Sequence, residues 1–142
     1  MRKFLISVCS VFSLATIARG EATSLTMINK SDGPVNCAYL EYIPSTNQAT
    51  TYHWYAILNG QSRTFHAVTA QGLITNFRCE AARPGDTRVW GRNGFACVTR
   101  GANYINPFFE ANNLNLCTNL RGEWKSFTRV TQTGAATHIL NP

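Results

Sequence analysis

The sequence predicts a single, mostly β domain, an antiparallel β-sandwich or barrel-like fold with two disulfides, preceded by a secretion signal. Three observations favour this class. Short alternating segments are separated by turn residues at regular intervals, as in sandwiches and barrels. No window of 12 or more residues carries a convincing apolar stripe at helical spacing. Four cysteines follow the predicted signal, an even number that is typical of disulfides in an exported chain.

The first 20 residues have the three zones of a cleavable signal peptide. Arg2 and Lys3 form a positive start, and the 14 residues 4–17 are uncharged and mostly apolar. This stretch is shorter than the roughly 20 residues that a transmembrane helix needs. Small residues follow at the spacing that signal peptidase recognises. We therefore expect a signal peptide over residues 1–20, a secreted or periplasmic β domain over residues 21–142, and no transmembrane segment in the mature chain.

The mature chain is predicted to form a series of short strands, because apolar and β-branched segments recur between clusters of turn residues. One such cluster is Lys30-Ser31-Asp32-Gly33-Pro34. Residues 110–116 are predicted to form either a short helix or a loop. In chain order, the predicted strands cover residues 25–29, 37–43, 52–58, 62–68, 73–79, 87–90, 95–98, 104–109 and 123–130.

The third and fourth predicted strands flank Asn59-Gly60, a residue pair that favours a tight type I′ hairpin turn. Alternate residues of the third strand are expected to share its core face, and His53, Tyr55 and Ile57 are then expected to point outward. The predicted core face consists of Tyr52, Trp54, Ala56 and Leu58.

The four mature cysteines allow three disulfide pairings. We prefer Cys37–Cys79 with Cys97–Cys117, because each bond then joins neighbouring parts of the chain. Closing the loop of about 20 residues between Cys97 and Cys117 would contribute about 3 kcal/mol in the chain-entropy model. No C-x-x-C or H-x-x-x-H spacing occurs, so we expect neither a zinc site nor any other metal or cofactor.

The net charge of +6 includes three basic residues of the predicted signal, Arg2, Lys3 and Arg19. Without them, ten of the 13 basic residues remain against seven acidic ones, a net charge of +3. This mild excess does not require nucleic acid as a partner. Eight of the ten are arginine, the residue favoured where a planar cation meets an anion or an aromatic ring. Genomic composition is the alternative explanation of that bias.

Several short motifs occur along the mature chain in a recognisable order. They are Ile28-Asn29-Lys30, Trp54 leading to Gly60, Trp90-Gly91, Phe95-Ala96-Cys97-Val98, and Cys117 followed by Arg121-Gly122 and Phe127-Thr128-Arg129-Val130. In these motifs the chain resembles the DUF1036 family of small exported bacterial domains of uncertain function. The resemblance implies export and a β fold. It implies no catalytic residue, because the family carries no established active site.

Ligand-binding residues are predicted among the aromatic and basic side chains. Arginines 83, 88 and 92 lie within ten residues of one another around Trp90, which predicts a cationic loop for anionic glycans or membrane headgroups, supported by cation–π contacts. Tyr55 is predicted as a further contact, since an exposed aromatic ring can stack on a sugar. A solvated loop is the alternative. The predicted ligand-binding residues are Tyr55, Arg88, Trp90 and Arg92.

A second constellation predicts a different activity. In a hairpin centred on Asn59-Gly60, His53 faces His66 across the strands and Arg63 lies close by. A histidine pair beside a cation can act as general base and acid in a small secreted ribonuclease. The alternative is two exposed histidines without a function.

The sequence favours a non-enzymatic binding or interaction module of the cell envelope or extracellular space. It contains neither G-x-S-x-G nor a glycine-rich phosphate loop before a helix. The expected partner is an unknown protein, a glycan or an anionic envelope ligand, and nucleic acid is disfavoured. A small basic hydrolase, most plausibly a nuclease that uses His53 and His66, is the alternative.

Overall fold

The computed structural model describes residues 22–92, 94–99, 104–107 and 122–142. These residues form strands and no helix, which confirms the mostly β class. In chain order the strands are β1 (Ala22–Asn29), β2 (Val35–Ile43), β3 (Gln48–Ile57), β4 (Ser62–His66), β5 (Leu73–Ala81), β6 (Val89–Trp90), β7 (Gly94–Thr99), β8 (Tyr104–Pro107), β9 (Gly122–Arg129) and β10 (Gly134–Leu140).

The strands form an open, mixed sheet. Its main path runs β10-β1-β5-β2-β3-β8, while β4 pairs with β1, β6 and β9 pair with β5, and β7 pairs with β9. Among the described strands, the β1–β10 pair is parallel and the other pairs are antiparallel. The predicted antiparallel pairing is therefore wrong for β1–β10, and the described strands do not close into a barrel.

Strand β5 is the element on which the fold converges. One of its edges pairs with β2 along almost its whole length. The other edge is shared by three strands, with β1 at Ile74, β9 at Asn76 and Phe77, and β6 at Cys79 and Glu80. Since β10 lies beside β1, this sharing places the ends of β6, β9 and β10 near one another.

The main core contains buried side chains from β1, β4 and β10 together with side chains from β2, β3 and β5. Successive residues of a strand point to opposite faces. Cys37 and Tyr39 accordingly enter the main core, whereas Ala38 enters a second, smaller cluster with Val98 and Phe127. Strand β2 is thus covered on both faces.

The predicted Cys37–Cys79 disulfide is present. The two residues lie directly opposite each other in the β2–β5 register, with their Cα atoms 4.1 Å apart. Both side chains are buried in the main core. For the second predicted disulfide, Cys97 is buried in β7, whereas Cys117 lies outside the described residues.

The predicted core face of the third strand is only partly correct. Tyr52 packs against the main core, as predicted. Between Cys37 and Tyr39 of β2, however, β3 contains an extra residue, because Cys37 pairs with Tyr55 and Tyr39 pairs with Tyr52. Such a bulge reverses the facing of every later residue. The residues that point inward beyond it are Tyr55 and Ile57, while Ala56 and Leu58 are exposed and His53 is buried.

The predicted β3–β4 hairpin is wrong. Strand β3 pairs with β2 and β8, whereas β4 pairs with β1. The Asn59-Gly60 turn is bonded to the end of β1 instead, since the Gly60 N–H donates to the Asn29 carbonyl at 2.8 Å. The Asn29 N–H in turn donates to the Gln61 carbonyl at 2.9 Å. This turn therefore carries the chain from β3 across to a different neighbour.

Two further predictions concern residues that the structure does not describe. They are the predicted signal peptide and the predicted helix or loop over residues 110–116. In the part of the chain that is described, there is no helix long and apolar enough to cross a membrane.

Candidate functional site

A cleft of about 470 Å³ lies where β6, β9 and the end of β10 meet. Its lining consists of residues 88–92, Thr128 of β9, His138 of β10 and residues 141–142. We call it the β6 cleft. Three of the four predicted ligand-binding residues, Arg88, Trp90 and Arg92, line it together, whereas Tyr55 does not.

The chain can take this path because of Gly91. Strand β6 is held by pairing of Trp90 with Cys79 and of Val89 with Glu80. Immediately afterwards the chain passes against β9, where a Cβ atom on residue 91 would lie 2.5 Å from the Ser126 carbonyl oxygen. Real Cβ atoms essentially never approach a backbone atom so closely. Glycine therefore allows the wall of the cleft to pack on β9.

Trp90 is fixed in the wall by both its backbone and its side chain. The indole N–H donates to the Asn141 carbonyl at 3.2 Å, and the ring packs partly against the main core. The Arg88 guanidinium carbon lies 6.0 Å from the ring centroid. A Trp ring that lines a cleft offers an apolar surface of fixed orientation.

Arg88 is held by two carboxylates. Its Nε atom donates to Asp86 at 3.0 Å, and its Nη2 atom contacts both Asp32 and Asp86. These hydrogen bonds hold the pKa of Asp86 at about 2 and raise the pKa of Arg88. The positive charge of Arg88 is thus offset locally. By contrast, Arg92 is exposed and makes no ion pair with the described residues.

His138, for which the sequence predicts no role, also lines the cleft. Its ring packs on Phe77 with centroids 4.4 Å apart, and desolvation by burial lowers the pKa of His138. The imidazole is therefore predominantly neutral at pH 7 and offers one donor and one acceptor. The signal that would have found it is the β-branched segment Thr137-His138-Ile139, which predicts a strand at the end of the chain.

Tyr55 lies in a separate aromatic cluster. Its ring centroid is 5.2 Å from that of Phe65 and 6.1 Å from that of Tyr39. The Arg63 guanidinium carbon lies 4.8 Å from the Tyr55 ring centroid. The four predicted ligand-binding residues therefore divide between two places, and Tyr55 contributes mainly to packing between β2, β3 and β4.

The alternative catalytic set is not assembled as predicted. His53 and His66 are not cross-strand neighbours, because β3 and β4 do not pair. His66 is exposed, whereas His53 is only 5 % exposed, and neither of its ring nitrogens has a hydrogen-bond partner among the residues that the structure describes. Burial lowers the pKa of His53. A buried imidazole lacks the access to a substrate that general acid–base catalysis requires.

The described residues contain no group of three or more histidine, cysteine or acidic side chains that could hold a metal ion. None of the family models, curated proteins and solved structures compared with this chain matches it. The resemblance to the DUF1036 family therefore stays a prediction, and the function is inferred from the chemistry of the β6 cleft.

Proposed function

We propose that this protein is an exported, non-enzymatic β domain of the cell envelope or extracellular space that binds a small polar or anionic ligand in the β6 cleft. The observation that supports the proposal is the convergence of Arg88, Trp90 and Arg92 on one cleft of about 470 Å³. Binding clefts commonly have volumes of about 300–1,000 Å³ and combine aromatic surface with a few polar groups.

The cleft is built to keep its shape. Trp90 is held by strand pairing and by the Asn141 carbonyl, and Arg88 is held by two carboxylates. Groups that are already ordered lose little conformational entropy when a ligand binds. This preorganisation favours a binding role for the residues concerned.

Export is supported by the zones of the predicted signal peptide and by the Cys37–Cys79 disulfide, a bond that persists in oxidising compartments. The resemblance to the DUF1036 family points the same way. We propose that Cys97 and Cys117 form a second disulfide. We also propose that the sheet folds into two packed layers like a sandwich, because β1, β4 and β10 share a core with β2, β3 and β5.

The proposal is tested by NMR titration of the oxidised, exported protein with RNA, anionic glycans, neutral sugars and lipid micelles. The readouts are the Trp90 indole N–H and the side-chain signals of His138 and Arg92. We expect an anionic glycan or a headgroup to shift these signals together. An Arg92→Gln variant should weaken the shifts, whereas Arg129→Gln should not, because Arg129 is exposed on the face of β9 opposite to Thr128.

Either of two results would contradict the proposal. One is silence at the cleft across the whole panel, which would point to a protein partner elsewhere. The other is a set of RNA-induced shifts at His66 and Arg63 with none at Trp90, followed by measurable RNA cleavage. That second result would favour the alternative function, a small basic hydrolase.

A further inference from the structure

Of the two arginines among the described residues that line the β6 cleft, one has a guanidinium available to a ligand. Arg88 is shared between Asp32 and Asp86, and Arg83 lies 3.9 Å from Asp32. These two arginines and two carboxylates sum to zero charge. Arg92 is exposed and forms neither a hydrogen bond nor an ion pair with the described residues. The cleft is therefore suited to a ligand group with a single negative charge.

The remaining polar side chains that line the cleft, Thr128, His138 and Asn141, carry no formal charge when His138 is neutral. The His138 imidazole is half-buried, and in its neutral form it presents one donor and one acceptor. Thr128 lines the same cleft, and within the described part of the chain neither side chain makes a hydrogen bond. Neutral groups that both donate and accept match the hydroxyls of a sugar, which do the same.

The aromatic part of the cleft fits the same chemistry. Trp90 lines the cleft with its N–H already bonded to the Asn141 carbonyl. The part of the ring that remains for a ligand is therefore its apolar surface. A pyranose ring has an apolar C–H face, and the apolar face of an aromatic ring can stack on it.

We propose that the β6 cleft binds a sugar ring that carries a carboxylate, with the carboxylate on Arg92, the ring against Trp90 and the hydroxyls on His138 and Thr128. The inference rests on the proposed function and names its ligand class. A planar carboxylate suits a single guanidinium, which can bind it with two parallel hydrogen bonds. A phosphate carries a charge of about −1.5 to −2 and would require further cations. Arg88 does not supply one, because Asp32 and Asp86 offset its charge.

The test compares four probes that differ in one group at a time: glucuronate, glucose, glucose 6-phosphate and acetate. Titration is followed at the Trp90 indole N–H of the oxidised protein. Glucuronate is expected to bind at least about tenfold more tightly than glucose, the effect of one charge-assisted hydrogen bond. Acetate, which lacks the ring, is expected to leave the Trp90 signal unshifted.

Two variants separate the charge from the fold. Arg92→Gln should abolish the preference for glucuronate over glucose while leaving the spectrum of the free protein intact, because Arg92 is exposed. Arg129→Gln removes another exposed arginine and should keep the preference. A preference that survives Arg92→Gln would overturn the inference.

The outcomes also separate this inference from the proposed function. Equal binding of glucose and glucuronate, or tighter binding of glucose 6-phosphate, would overturn the carboxylate-sugar inference and leave the cleft as a binding site. An unshifted Trp90 signal with all four probes would also overturn the inference, and the proposed function would stand if a headgroup or another glycan shifts that signal. Silence with every compound in both panels would overturn both.

Discussion

Asn29 shows how one buried polar side chain can hold several segments together. It is fully buried, and its Nδ2 atom donates to the carbonyls of Gly33 at 2.8 Å and Ile57 at 3.0 Å. Its Oδ1 atom accepts from the backbone N–H and the hydroxyl of Ser31. Both amide hydrogens and the carbonyl are therefore used, which ties the turn after β1 to the end of β3.

Asn29→Asp is expected to destabilise the fold by about 2–4 kcal/mol, because a buried carboxylate would face two carbonyl oxygens that have lost their donor. The measurement is the free energy of unfolding in urea. Asn59→Asp makes the same chemical change at an exposed position and should alter stability by less than about 0.5 kcal/mol. Equal effects of the two changes would contradict this role of Asn29.

Two histidines, the buried His53 and the half-buried His138, predict how the free energy of unfolding depends on pH. Burial lowers the pKa of both His53 and His138 below the ordinary value of 6.5. Below that value the unfolded chain binds protons that the folded chain does not, so stability is full above about pH 6.5 and falls as the pH is lowered. Urea midpoints at pH 7.5 and 5.5 measure the loss.

Replacing His53 with phenylalanine should reduce this loss of stability at low pH, because it removes one of the two histidines whose pKa is lowered by burial. His66→Gln, a change at an exposed histidine, should retain the wild-type loss. A His53→Phe variant with an unchanged difference between the two pH values would show that His53 does not contribute.

At the scale of elements, most strands follow from local patterns, and their partners do not. The predicted strands fall on β1 to β9 with shifted ends, because apolar alternation and turn residues are local properties. The predicted β3–β4 hairpin is wrong because the Asn59-Gly60 turn forms a hydrogen bond with Asn29, which is distant in the sequence. The predicted outward facing of Tyr55 is wrong because the extra residue in β3 is visible only in its register with β2.

The Cys37–Cys79 disulfide joins β2 to β5, and the pairing with β2 is the longest that β5 makes among the described strands. Replacing both cysteines with alanine is expected to cost about 4 kcal/mol, the chain-entropy estimate for the sequence separation of 42 between them. Urea unfolding of the oxidised protein and of the double variant gives the difference. A loss below about 1 kcal/mol would mean that the strand pairing alone fixes this part of the sheet.

For the molecule as a whole, the candidate site was predicted in part. Arg88, Trp90 and Arg92 are close in the sequence, so their grouping could be expected. His138 and Thr128 join them only because β9 and β10 reach β5 and β1 at neighbouring places. Tyr55 does not join this site, because its ring packs against Phe65 of β4, and the position of β4 could not be predicted from local patterns. Proximity along the chain was predictable, and proximity through the sheet was not.

We propose that the β6 cleft, and not the aromatic cluster around Tyr55, receives the ligand. It is tested most directly by intermolecular nuclear Overhauser effects between a bound glycan and assigned side chains. We expect contacts from the glycan to the Trp90 ring and the His138 ring, with none to Tyr55. Contacts to Tyr55 and Phe65 with none to Trp90 would contradict it.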